Sequence, residues 1–95
     1  MAIEVSFTPD FERQLKRLAN KYNSIYKDLD SLIDDLEINP NSGTHLGKNL
    51  YKVRMAISSK SKGKSGGARV ITYLETELIA NFNGHLQVLT ALKFL

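Results

Sequence analysis

The sequence predicts an α+β domain in the order βααβββ, with a helical hairpin packed on an antiparallel meander. Three observations point to it. Ile3, Val5 and Phe7 alternate with Glu4 and Ser6, the period of a half-buried strand. Residues 9 to 38 then carry their apolar side chains three and four apart, in two stretches. From Leu50 onward the pattern returns to alternation and to β-branched or aromatic runs.

Each element has its local cause. Thr8, Pro9 and Asp10 read as a helix start: Thr8 accepts from an orphan N–H, and Pro9 has no donor to waste. Asp10 and Glu12 lie where the helix dipole favours negative charge. Phe11, Leu15, Leu18 and Tyr22 form the apolar stripe of this helix. A polar break from Asn20 to Ser24 precedes a second helix, which starts at Asn23 or Ser24. Its apolar positions are Ile25, Leu29, Leu32, Ile33 and Leu36. Pro40 ends it, because it disfavours helical geometry at Asn39. Leu50 to Ser58 reads as a strand with Val53, Met55 and Ile57 on one face and Lys52, Arg54 and Ala56 on the other. A basic, glycine-rich connection from Ser59 to Gly67 leads into a strand from Ala68 to Glu75. Segment 76–82 either extends that strand or forms a bulged loop. Asn83-Gly84 is a two-residue hairpin signal. His85 to Leu95 is nearly continuous apolar sequence, as in a strand buried on both faces.

Ninety-five residues allow one domain, spanning 1–95. The chain has no cysteine, which excludes a disulfide framework and a thiolate metal site and fits a reducing compartment. The first residues carry no signal-peptide pattern, and no apolar run approaches the ~20 residues of a membrane span. A soluble cytoplasmic protein is expected, with no membrane partner.

The formal net charge of +3 hides an asymmetry. Residues 1–47 hold five basic and eight acidic side chains, and residues 48–95 hold eight basic and two acidic ones. Lys48, Lys52, Arg54, Lys60, Lys62, Lys64 and Arg69 follow one another without an intervening acid. Such a stretch is either a polyanion site or a solvated basic surface. Lys52 and Arg54 project from the same face of a strand, and Arg69 joins them if the hairpin register permits. Clustered cations focus phosphate ligands, which favours the polyanion reading.

Other motifs fail on context. Gly63-Lys64-Ser65 is the end of a P-loop, but the required earlier glycine falls on Ser58 and a strand follows instead of a helix. Gly63-Lys64-Ser65-Gly66 matches the GxxG of KH domains, yet it joins two strands where that loop joins two helices. His45 and His85 are forty residues apart with no ligand partner in sequence, so both read as surface imidazoles and no metal is expected. No serine has a nucleophile-elbow context.

Taken together, Phe7-(x)3-Phe11-(x)3-Leu15, the helical hairpin ending in INPNSG, then LYKVRMA and KGKSGGARVITY resemble the RelE/ParE toxin superfamily of bacterial toxin–antitoxin modules. The likeness runs over residues 3–75, and the SGG-x-R-hydrophobic-hydrophobic-x-Tyr element is similar to the HigB-type branch. This resemblance implies a toxin with a cognate antitoxin as partner. RelE-like members cleave mRNA in the ribosomal A site without metal or cofactor, whereas ParE-like members inhibit DNA gyrase. Carried over by position, Lys52, Arg54 and Arg69 act on the substrate phosphate, while Lys48, Lys60, Lys62, Lys64 and Lys93 are RNA-binding candidates by their charge alone. Lys52 is the candidate base, on the condition that neighbouring cations lower its pKa. Arg54 and Arg69 suit the equatorial oxygens.

Two departures stand out. Catalytic tyrosine or histidine is common in the family at the end of the last strand or beyond, where this chain reads LTALKFL with Leu92 at the hydroxyl position. Arg54 stands where lysine is common, and arginine is a poor general base. Both point to a weakened or truncated endoribonuclease. The alternatives are a non-catalytic member that binds gyrase or only its antitoxin, and a plain basic nucleic-acid-binding domain. The antitoxin segment that covers the basic half is expected to be acidic.

Overall fold

The computed structural model describes residues 3–60, 66–80 and 86–95, with backbone alone at 77–80 and 86–89. The elements are β1 (Ile3–Phe7), α1 (Pro9–Lys21), α2 (Ile25–Ile38), β2 (Thr44–Gly47), β3 (Leu50–Met55), β4 (Ala68–Ala80) and β5 (Leu86–Phe94), with one 3-10 turn at Ser58–Lys60. The strands form a single sheet in the order β1-β5-β4-β3-β2. All neighbours are antiparallel except β1 and β5, which run parallel. The class is α+β, as the periodicities predict, with both helices on one face of what is here a mixed sheet. No helix among the described residues is long and apolar enough to cross a membrane.

The helix starts behave as their residues require. Thr8 is extended, and its Oγ1 accepts the Phe11 N–H at 3.1 Å. Ser24 caps α2 without a side-chain bond to the helix backbone, because its hydroxyl is used elsewhere. Both apolar stripes face the sheet. Leu15, Ile25, Leu29, Leu32 and Leu36 are buried against Val53, Met55, Ile57, Val70, Leu92 and Phe94. At one end the rings of Phe7, Phe11 and Phe94 meet with centroids 5.2–5.4 Å apart. This aromatic corner joins β1, α1 and β5.

Four details differ from the sequence reading. A fifth strand, β2, occupies Thr44–Gly47, where a polar loop was expected around His45. Its Thr44, His45 and Leu46 are all exposed, as on an edge strand with no apolar alternation to announce it. Lys48 and Asn49, both at positive φ (49° and 67°), make the two-residue turn into β3. Second, β3 stops at Met55 rather than Ser58, because Asp28 captures Ser58 and bends the chain into the 3-10 turn. Third, β1 runs parallel to β5, so the sheet is mixed where an antiparallel meander was expected; segment 76–80 extends β4, one of its two expected readings. Fourth, over its described side chains, Thr90–Phe94, β5 is buried on one face only. Leu92 and Phe94 are 1% and 0% exposed, whereas Lys93 is exposed and Ala91 half-buried. The helices cover one side of the sheet, and among the described residues nothing covers the other.

Two glycines are fixed by close approach. A Cβ on Gly67 would collide with the Met55 carbonyl, and one on Gly43 (φ +96°) with the Lys52 carbonyl. Gly67 thus lets β4 enter the sheet against β3. The Asn83-Gly84 turn signal, His85 and the basic loop residues Lys62 and Lys64 lie outside the described residues.

Candidate functional site

Register places the site. Val53 pairs with Val70 and Met55 with Ala68 on the helix-covered face, so the intervening residues point to the open face. Arg54 and Arg69 are direct cross-strand partners there. Both are exposed. Directly opposite side chains start about 4.5–5.5 Å apart at Cβ, so two permanent positive charges stand side by side. Neither makes an ion pair among the described residues.

Lys52 is two residues from Arg54 on the same face, flanked by Thr44 on β2 and Ile71 on β4. The next row across the sheet is Leu50, Tyr73, Lys93 and Ser6. The row after that holds Glu75, Ala91 and Glu4. Successive rows are about 7 Å apart, two residues of strand. The open face therefore runs from a guanidinium pair, through a lysine row and a tyrosine–lysine row, to two carboxylates.

Of the residues singled out in sequence, Lys52, Arg54, Arg69 and Lys93 are brought to this face. Lys48 lies in the β2–β3 turn, at the opposite end of β3 from Arg54. Lys60 goes elsewhere: its Nζ sits 5.3 Å from the Tyr22 ring centroid, against the helix layer. His45 packs on Tyr51 with ring centroids 4.9 Å apart, and Tyr51 belongs to the covered face through its pairing with buried Thr72. Tyr73 was not singled out as a site residue. Its signal was present in the alternation of Arg69, Ile71 and Tyr73 along one strand. Among the described residues no three His, Asp or Glu side chains gather as metal ligands.

The turn after β3 is tied down by a polar cluster that sequence separation concealed. Asp28 accepts from the Ser58 N–H at 3.0 Å, the Ser58 hydroxyl at 2.5 Å and the Ser24 hydroxyl at 2.7 Å. Ser59 N–H donates to Ser24 Oγ at 3.0 Å. Partial burial pushes the Asp28 carboxyl up, but the Ser58 and Ser24 hydrogen bonds and the charge of Lys27 outweigh it, and the pKa falls below the ordinary value. A depressed folded-state pKa contributes stability above the unfolded value, near pH 4, and loses it as pH falls through the folded value. Asp28→Asn should lower the melting temperature at neutral pH by about 4–8 °C, the equivalent of roughly 1 kcal/mol after allowance for solvent exposure. Melting curves across pH check this: the gap between wild type and variant should close in strong acid.

Comparison with known protein families, with curated proteins and with solved structures finds no match for this chain.

Proposed function

We propose that this protein is the toxin of a bacterial type II toxin–antitoxin pair, a cytoplasmic endoribonuclease that cuts mRNA on the ribosome. The observation that carries the reading is the Arg54–Arg69 pair, with Lys52 beside it, on a sheet face no described element covers. Like charges directly opposite each other cost a sheet about 0.2–1 kcal/mol. A phosphate seated between the guanidiniums offsets that cost and receives planar, bidentate donors. The resemblance of KGKSGGARVITY and LYKVRMA to the RelE/ParE toxins supports the same assignment.

In this mechanism Lys52 takes the proton of a ribose 2′-OH as its oxygen bonds to the adjacent phosphorus. Arg54 and Arg69 donate to the equatorial oxygens while negative charge builds on the phosphorane. The P–O5′ bond then breaks, O5′ takes up a proton, and the products are a 2′,3′-cyclic phosphate and a 5′-hydroxyl. The antitoxin supplies an acidic segment that lies on the same cations.

The test is purified protein added to ribosomes stalled on a defined message. Cleavage within the A-site codon, with a cyclic phosphate at the new end, is the expected result. Inhibition of gyrase supercoiling with intact mRNA would assign the gyrase-binding alternative instead. Salt-sensitive RNA binding without cleavage or growth arrest would reduce the protein to a nucleic-acid binder.

A further inference from the structure

We infer that Tyr73 is a stacking platform for one base of a short single-stranded RNA whose phosphates lie on Arg54 and Arg69. The inference rests on the proposed RNA-directed function and names how that face grips its substrate.

Three observations converge. Tyr73 is half-buried on the open face, directly beside exposed Lys93 and across from Leu50. An aromatic ring next to a cation is the combination by which proteins hold unpaired nucleotides, since every base offers a π-face and every nucleotide a phosphate. Second, Tyr73 lies four residues along β4 from Arg69, about 13 Å, and only two past Ile71, the cross-strand partner of Lys52. A strand with a phosphate on the guanidinium pair therefore brings a neighbouring base over the ring. Third, the next row carries Glu75 and Glu4, whose charges repel a continuing phosphate backbone. The footprint is thus closed at that end. A duplex, which hides its base faces, gains nothing from Tyr73 and meets the carboxylates.

The chain has no tryptophan, so Tyr73→Trp introduces a single indole. Titration with a short oligoadenylate should quench its emission, with affinity at least equal to wild type. Tyr73→Phe, which keeps the ring, should bind within about two-fold of wild type, and Tyr73→Leu should bind about ten-fold more weakly with an unchanged circular dichroism spectrum. Four results would overturn the inference: an indole left unquenched while Arg69-dependent binding persists, equal affinity for a duplex of the same length, the same quenching by polyglutamate, or loss of oligoadenylate binding in Tyr73→Phe. The first leaves the endoribonuclease reading intact, because it separates base stacking from phosphate binding. Absence of any Arg69-dependent binding to oligoadenylate would defeat both.

Discussion

Arg69→Ala is expected to slow mRNA cleavage on programmed ribosomes by about a hundred- to a thousand-fold and to leave the fold intact or slightly firmer. The two halves have separate causes. Removing one preorganised donor from a developing oxyanion typically costs ~3–4 kcal/mol of transition-state stabilisation, and Arg69 is one of two such donors here. The fold meanwhile loses a like-charge pair, since Arg54 sits directly opposite, and gains back a few tenths of a kcal/mol. Arg69 is exposed, and the covered face at this point belongs to Val70 and Ala68. Single-turnover cleavage, together with a melting curve, checks both halves. Undiminished cleavage would remove Arg69 from the site and with it the case for the guanidinium pair.

The second large effect is on stability. Phe94→Ala should cost about 3–5 kcal/mol, the range for deleting a buried ring. Phe94 is 0% exposed and meets both Phe7 and Phe11, at 5.4 and 5.2 Å. Its loss would open a cavity shared by β1, α1 and β5, three elements that meet at this corner. A domain of this size has only ~5–10 kcal/mol to lose, so the variant should forfeit about half of its stability and melt far below wild type. Urea titration of wild type, Phe94→Leu and Phe94→Ala checks it. The leucine variant should fall between the other two, because it refills part of the volume.

Where a residue's role was set by its neighbours in the chain, the sequence could be read. Thr8 and Pro9 start α1 through local backbone chemistry, and Val53, Met55 and Ile57 are buried as their alternation demanded. Lys52 and Arg54 share a face for the same reason. That Arg69 stands directly opposite Arg54, rather than one place along, depends on register. Gly67 against the Met55 carbonyl is the close contact that accompanies this register. β2 was hidden because an exposed edge strand needs no apolar alternation, and its turn uses Lys48 and Asn49 instead of an Asn-Gly pair. β5 read as buried on both faces because Ala91 adds an apolar residue to the side that faces solvent. Lys60 was read as part of the basic surface, yet the turn that carries it is held by Asp28, thirty residues earlier than Ser58. No local pattern reports such a bond.

The parallel pairing of β1 with β5 also governs when the protein becomes itself. Ile3–Phe7 are synthesised first, yet their strand partners are Thr90–Phe94, the last of the described elements to leave the ribosome. Until β5 emerges, β1 has no neighbour in the sheet, and the two helices have lost Leu92 and Phe94 from the surface they cover. A nascent chain therefore stays open, with its apolar stripes available to chaperones and proteases, until β5 has been made. Its closure is a single late event, and a long-range one, of the kind that folds slowly. Arg54 and Arg69 belong instead to the β3–β4 pair, so the guanidinium row forms without β5, and of the face's cations only Lys93 joins at closure.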